Sequence, residues 1–210
     1  MILQYWMGAA AGLAVVYGAG YCWRAGSNWP RSAIKTGAMA FLALAAAALN
    51  APIWVVAGLG LGALGDFFLS RPGTRAFLAG MAAFAAGHLA YTVYFIGLAG
   101  AAAPYAVPLA LVLIALAAST ELWLAPHTGA LRWPVRGYVA VITAMGIAAL
   151  GQSAPLVLAG AGLFILSDVL LALALFVFPT ASKRWILAVT LWVAYWMGQF
   201  LILQGALWAA

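Results

Sequence analysis

Three acidic residues stand in this chain of 210: Asp66, Glu121 and Asp168. Asp66 lies in Gly65-Asp66-Phe67-Phe68-Leu69, and Asp168 in Leu166-Ser167-Asp168-Val169-Leu170-Leu171, each inside a long apolar run. A carboxyl inside a bilayer is costly, so such groups face a protein interior or a wet cavity and are by default functional. Two carboxyls in different surroundings can divide acid and base roles between them. That division serves hydrolysis through an oxocarbenium-like state, as in glycoside cleavage. It serves equally a proton relay in a transporter. Residue chemistry leaves both open.

Other polar groups recur at helical spacing. His88 and Tyr91 share one helix face, as do Tyr195 and Gln199, and Tyr138 and Met145. Lys35 is expected near Asp66 and Asp168, so that all three meet in one half of the bundle. The structural alternative for either Asp is an ion pair with Lys35 or Arg136, with Ser167 beside Asp168. Glu121, near His127 and Arg132, reads as a surface or loop anchor. With two histidines and one cysteine, Cys22, the chain shows no zinc spacing and no intrachain disulfide. No nucleophile elbow is present, and nothing places a histidine beside Ser167.

The elements that position these groups follow from composition. Hydrophobic residues make up 68% of the chain and charged residues 6%, against roughly 25% charged in soluble domains. The solvent for most of the surface is therefore lipid, where only helices or closed barrels satisfy the backbone. The runs lack the alternation of barrel strands, so the fold class is all-α, a polytopic membrane protein. A bilayer core of about 30 Å takes about 20 residues per helix. Punctuation by Pro, Gly, Asn and charge then predicts about eight spans, over 2–22, 33–50, 52–70, 75–98, 104–125, 133–151, 154–178 and 184–208. No basic residue precedes the first run, which predicts a retained helix rather than a cleaved signal.

All nine basic residues fall in or beside alternate loops: Arg24, Arg31 and Lys35; Arg71 and Arg75; Arg132 and Arg136; Lys183 and Arg184. Cytoplasmic loops carry the excess of Lys and Arg. Both termini are therefore expected outside, with the acids in the cytoplasmic half of an inner or plasma membrane. The net charge of +6 thus calls for a membrane surface and not for nucleic acid. An internal repeat is also visible. Gly58 to Leu69 parallels Gly160 to Leu171, each after an Ala-Pro start, and Gly87-His88 parallels Gly198-Gln199. One transmembrane domain over 1–210, built of two parallel four-helix halves (1–100 and 101–210), is expected. The small stripe Gly58, Gly62 and Gly65 predicts close helix packing next to Asp66.

The ordered set Gly65-Asp66-x-x-Leu69, His88-x-x-Tyr91, Leu166-Ser167-Asp168-x-x-Leu171 and Tyr195-x-x-x-Gln199 resembles the YhhN-like lysoplasmalogenase family. Lys35 and the Tyr138 to Met145 spacing fit as well, and the likeness covers nearly the whole chain. One departure is Thr36, where family members often carry Pro after the lysine. The resemblance implies a membrane hydrolase that cleaves the vinyl-ether bond of lysoplasmalogens. The products would be a fatty aldehyde and glycerophospho-ethanolamine or -choline. It implies no cofactor and no metal, with a lysophospholipid and membrane lipids as partners. Asp66 and Asp168 are then the expected catalytic pair. Asp168 is assigned the acid, because a site deeper from water favours a neutral carboxyl, and Asp66 activates water. His88 and Tyr91 orient water or the ether oxygen, Lys35 binds phosphate or tunes Asp66, and Tyr138, Ser167, Tyr195 and Gln199 support the pocket. The alternative is a proton-coupled transporter of a small molecule or lipid, which would leave its substrate chemically unchanged.

Overall fold

In a computed structural model, residues 2–24, 26, 28–98, 100, 103–178 and 184–209 are described. They form eight α-helices: α1 (Ile2–Gly20), α2 (Trp29–Ala48), α3 (Ile53–Leu69), α4 (Thr74–Gly97), α5 (Ala106–Trp123), α6 (Arg132–Ala149), α7 (Pro155–Ala172) and α8 (Arg184–Ala209). The described residues contain no strand, as the apolar runs predict. Four segments are long and apolar enough to cross a membrane: Thr74–Gly97, Ala106–His127, Pro155–Val177 and Trp185–Ala209. Their outer surfaces are apolar: on α5, Val107, Leu111 and Val112 are each 60% exposed or more. In water such a surface would be strongly unfavourable, and in hydrocarbon it costs nothing, so the protein is an integral membrane protein.

Local chemistry sets the ends. Helix α2 starts at Trp29, earlier than residue 33 as the hydropathy predicts. The side chain of Asn28 accepts the Arg31 N–H at 2.8 Å, and Pro30 occupies the first turn, where its missing N–H is not needed. The α2–α3 corner is a Schellman turn. The Ala51 N–H bonds Ala46 O at 2.9 Å, and the Asn50 N–H bonds Ala47 O at 3.1 Å. Asn50 takes the left-handed conformation, with φ of 54°. Pro52 follows and stops any continuation, so α2 and α3 fold back on each other within four residues, 49–52. Two short 3₁₀ turns, Ala125–His127 and Gly129–Leu131, lead into α6. Helix α7 ends in a π-helical turn, Leu173–Val177. Lys183 and the side chain of Arg184 lie outside the described residues.

The most extensive packing is α7 on α8 and α3 on α4. Glycines permit both approaches. A Cβ on Gly160 would sit 2.7 Å from Gly198 O, and one on Gly198 would sit 2.9 Å from Gly160 O. In the first half, a Cβ on Gly87 would lie 3.2 Å from Gly58 O. Such backbone-to-backbone contact substitutes for the hydrophobic drive that lipid does not supply between membrane helices. The expected stripe on α3 is used in full: Gly58 receives the Tyr91 ring, Gly62 the tips of Gln199 and Tyr195, and Gly65 the Phe84 ring. The core formed around it includes Met39, Leu42, Leu59, Tyr91, Phe95, Met145, Phe164, Ile202 and Leu203.

Candidate active site

Each Asp is held by a basic side chain and a tyrosine. Asp66 on α3 is fully buried. Its Oδ1 lies 2.7 Å from Lys35 Nζ on α2, and its Oδ2 accepts the Tyr195 hydroxyl of α8 at 2.9 Å. Asp168 on α7 has Oδ2 at 3.1 Å from His88 Nε2 of α4, and Oδ1 accepts the Tyr138 hydroxyl of α6 at 3.1 Å. In both clusters one partner comes from the preceding helix and the other from α8 or α4, the closing helix of the opposite expected half. The three-way meeting of Lys35, Asp66 and Asp168 expected from the sequence is replaced by two separate clusters. Lys35 serves Asp66, and His88 serves Asp168.

Aromatic rings fill the space between the clusters. The Phe164 ring lies 4.4 Å from that of His88 and 5.6 Å from that of Tyr195, centroid to centroid. Phe84 meets Tyr195 edge-on at 5.8 Å. Neither Phe side chain carries a polar atom, and nothing in the sequence distinguishes them from other apolar residues. Tyr91 donates its hydroxyl to Gln199 Oε1, tying α4 to α8 beside Gly62. The shared faces of His88 with Tyr91 and of Tyr195 with Gln199 therefore hold, although the two members of each pair serve different partners.

Two expectations are corrected. Ser167 does not join Asp168; its hydroxyl turns back to Phe164 O at 2.7 Å, satisfied within its own helix. Arg136 pairs with neither Asp. It grips Glu121, with Nε at 2.7 Å from Oε1, and Arg132 stands 3.7 Å from the same carboxylate. Glu121 is 43% exposed, which places it as the anchor between α5 and α6. Among the described residues no three His, Cys, Asp or Glu side chains gather as a metal site.

The state of the His88–Asp168 contact follows from its other side. His88 Nδ1 lies 2.7 Å from Phe84 O, which can only accept, so Nδ1 carries a hydrogen. The contact at Nε2 then needs one proton, held either on Asp168 or on the imidazole. Asp168, and not Asp66, opens onto an apolar cavity of about 100 Å³. Its wall includes Phe84, Leu113, Tyr138, Ile142, Leu69 and Phe176. Helix α5, with none of its residues buried, closes the outer side. A second cavity of about 320 Å³ is polar and lies at the end of the bundle where α2 begins and α3 ends. Arg31, Ser32, Lys35 and Arg71 line it, and Leu69 borders both cavities. The sequence signal for Arg31 and Arg71 was visible, but as topogenic charge and not as a lining.

An α-helical membrane bundle with a carboxyl on the wall of an apolar cavity defines the class: a polytopic membrane protein with a candidate acid–base site. The chain belongs to the YhhN family, whose family model matches residues 30–206. Lysoplasmalogenase of Mycobacterium bovis is 36% identical over 174 residues, covering 77% of this chain and 65% of that protein. Lysoplasmalogenase of Mycobacterium tuberculosis matches with the same identity and coverage. The chain therefore spans about 65% of the length of these curated relatives. No solved structure matches.

Proposed function

We propose that this protein hydrolyses the vinyl-ether bond of a lysoplasmalogen, releasing a fatty aldehyde and a glycerophospho-ethanolamine or -choline. The observation that carries the proposal is the contact of His88 Nε2 with Asp168 Oδ2, 3.1 Å, at the edge of an apolar cavity. The names of the mycobacterial relatives support the substrate class. A vinyl ether is cleaved by protonating its β-carbon, so the site must present a proton to hydrocarbon, and a carboxyl opening onto apolar walls does that.

In the proposed sequence the alkenyl chain lies in the apolar cavity. Asp168 transfers its proton to the alkene carbon farther from oxygen, and the ether carbon becomes an oxocarbenium ion. The carboxylate left behind stabilises that cation, as in glycoside cleavage. Water adds to the cation and returns a proton to Asp168 and His88. The hemiacetal then moves its hydroxyl proton to the glycerol oxygen and separates into aldehyde and alcohol. Tyr138 holds the carboxyl in register through Oδ1. Asp66 lines neither cavity, so it acts in this scheme as a positioning residue that fixes Lys35 and Tyr195, rather than as the direct base.

The proposal includes eight spans, both ends outside, and the site in the cytoplasmic half of an inner or plasma membrane. The one-sided distribution of Lys and Arg supports it. It includes two four-helix halves, supported by the matching Gly58–Gly87 and Gly160–Gly198 approaches. The test is aldehyde release from synthetic lysoplasmenyl-ethanolamine by the purified, detergent-solubilised protein. Aldehyde from the wild type and a far slower release from Asp168→Asn are expected. A folded wild type that returns the lipid intact refutes the hydrolase, and movement of intact lipid across proteoliposomes would replace it with the transporter.

A further inference from the structure

The polar cavity contains a concentration of positive charge that the acid clusters do not use. None of its lining residues is acidic. Lys35 is matched by Asp66, but among the described residues neither Arg31 nor Arg71 meets a carboxylate. Arg31 donates to Gly26 O, and Arg71 donates to Ser32 Oγ. The Arg71 guanidinium also lies over the Trp29 ring, 4.1 Å from its centroid, and its Nε is buried without a partner among the described residues. A guanidinium held over an aromatic ring with an unused donor is set for an oxyanion, because its planar fork matches phosphate oxygens pairwise.

We infer that this cavity is a phosphate-recognising head-group site, with Arg31 and Arg71 as its ligands and Ser32 as the residue that aims Arg71. The inference rests on the lysolipid hydrolysis proposed above, and names how that substrate is held. Leu69 borders this cavity on one side and the apolar cavity on the other. In a lysoplasmalogen only the glycerol unit separates the phosphate from the vinyl ether. A lipid with its phosphate at Arg31 and Arg71 and its glycerol passing Leu69 therefore brings its vinyl ether toward the cavity that Asp168 faces. The lining has no carboxylate to pair with the ammonium of ethanolamine or choline. The site reads the phosphate and not the amine.

The test compares the full-length protein on alkenylglycerophosphoethanolamine, on its choline counterpart and on phosphate-free alkenylglycerol. The wild type is expected to show a lower KM for both phospholipids than for alkenylglycerol. In Arg31→Gln and Arg71→Gln the phospholipid KM rises about tenfold or more, the loss of one charge-assisted contact, and converges on the alkenylglycerol value. Arg71→Lys keeps the charge without the fork and is expected to fall between. A phospholipid KM that is the same in these variants as in the wild type overturns the site while leaving the hydrolase standing. A wild type that cleaves none of the three lipids overturns the hydrolase, and the head-group site with it. If inorganic phosphate changes alkenylglycerol cleavage while the variants treat phospholipid as the wild type does, the cavity serves a free anion and the head-group assignment falls. A preference of about tenfold or more between the two head groups refutes recognition of phosphate alone.

Discussion

Replacing Lys35 by Met leaves the carboxylate of Asp66 fully buried with a single tyrosine hydroxyl as its remaining partner. Breaking a buried ion pair by removing one member costs about 3–5 kcal/mol, because the other charge stays desolvated and unmatched. Lys35 itself keeps 18% of its side chain exposed, so the lower end, about 3 kcal/mol, applies here. For a chain of this size each kcal/mol moves the melting midpoint about 2–4 °C, which gives a fall of about 6–12 °C. Adding Asp66→Asn should restore most of the loss. The amide is neutral, needs no counter-ion and still accepts the Tyr195 hydroxyl through its oxygen. The assay is thermal unfolding of wild type, both single variants and the double variant in one detergent, followed by tryptophan fluorescence and scored as a double-mutant cycle. A Lys35→Met protein within about 0.5 kcal/mol of wild type refutes the buried pair. So does a double variant no more stable than Lys35→Met alone.

Asp168→Asn keeps the shape of the side chain but removes the transferable proton. Its kcat should fall about 10²–10⁴-fold with the melting midpoint little changed, measured as aldehyde release and thermal unfolding on the same preparation. Ser167→Ala should leave kcat and KM as they are, because its hydroxyl bonds only Phe164 O; a large loss of activity would place it back in the site. Gly160→Ala forces a Cβ to within 2.7 Å of backbone atoms of α8 and should cost about 1–3 kcal/mol in unfolding measurements. Gly162→Ala, two residues along the same helix with nothing within 4 Å of the new Cβ, should be neutral or stabilising by up to about 1 kcal/mol.

Much of the site was legible in the residue types. Buried charge is expensive, so Lys35, Asp66, His88 and Asp168 stand out in apolar sequence, and helical spacing links His88 to Tyr91 and Tyr195 to Gln199. All of these, with Tyr138, belong to the two clusters or to the α4–α8 tie between them. Ser167 was misplaced because sequence adjacency puts it next to Asp168, whereas along a helix consecutive residues point about 100° apart. The start of α2 was missed because hydropathy windows do not register a cap, although Asn28 and Pro30 carry that signal themselves.

Composition by itself determined that the chain is a helical membrane protein, since too few charges exist to face water. The isolated acids determined where chemistry has to be sought. Which base serves which acid was decided only by tertiary structure. A helix pattern specifies the face on which a side chain lies, but the crossing and rotation of eight helices select its partner. Lys35 therefore reaches Asp66 and not Asp168, and His88 of α4 reaches Asp168 on α7. The difference between the two acids was likewise tertiary. Both lie in apolar helices, and only the gap left between α4, α5, α6 and α7 exposes Asp168 to a cavity while Asp66 stays sealed.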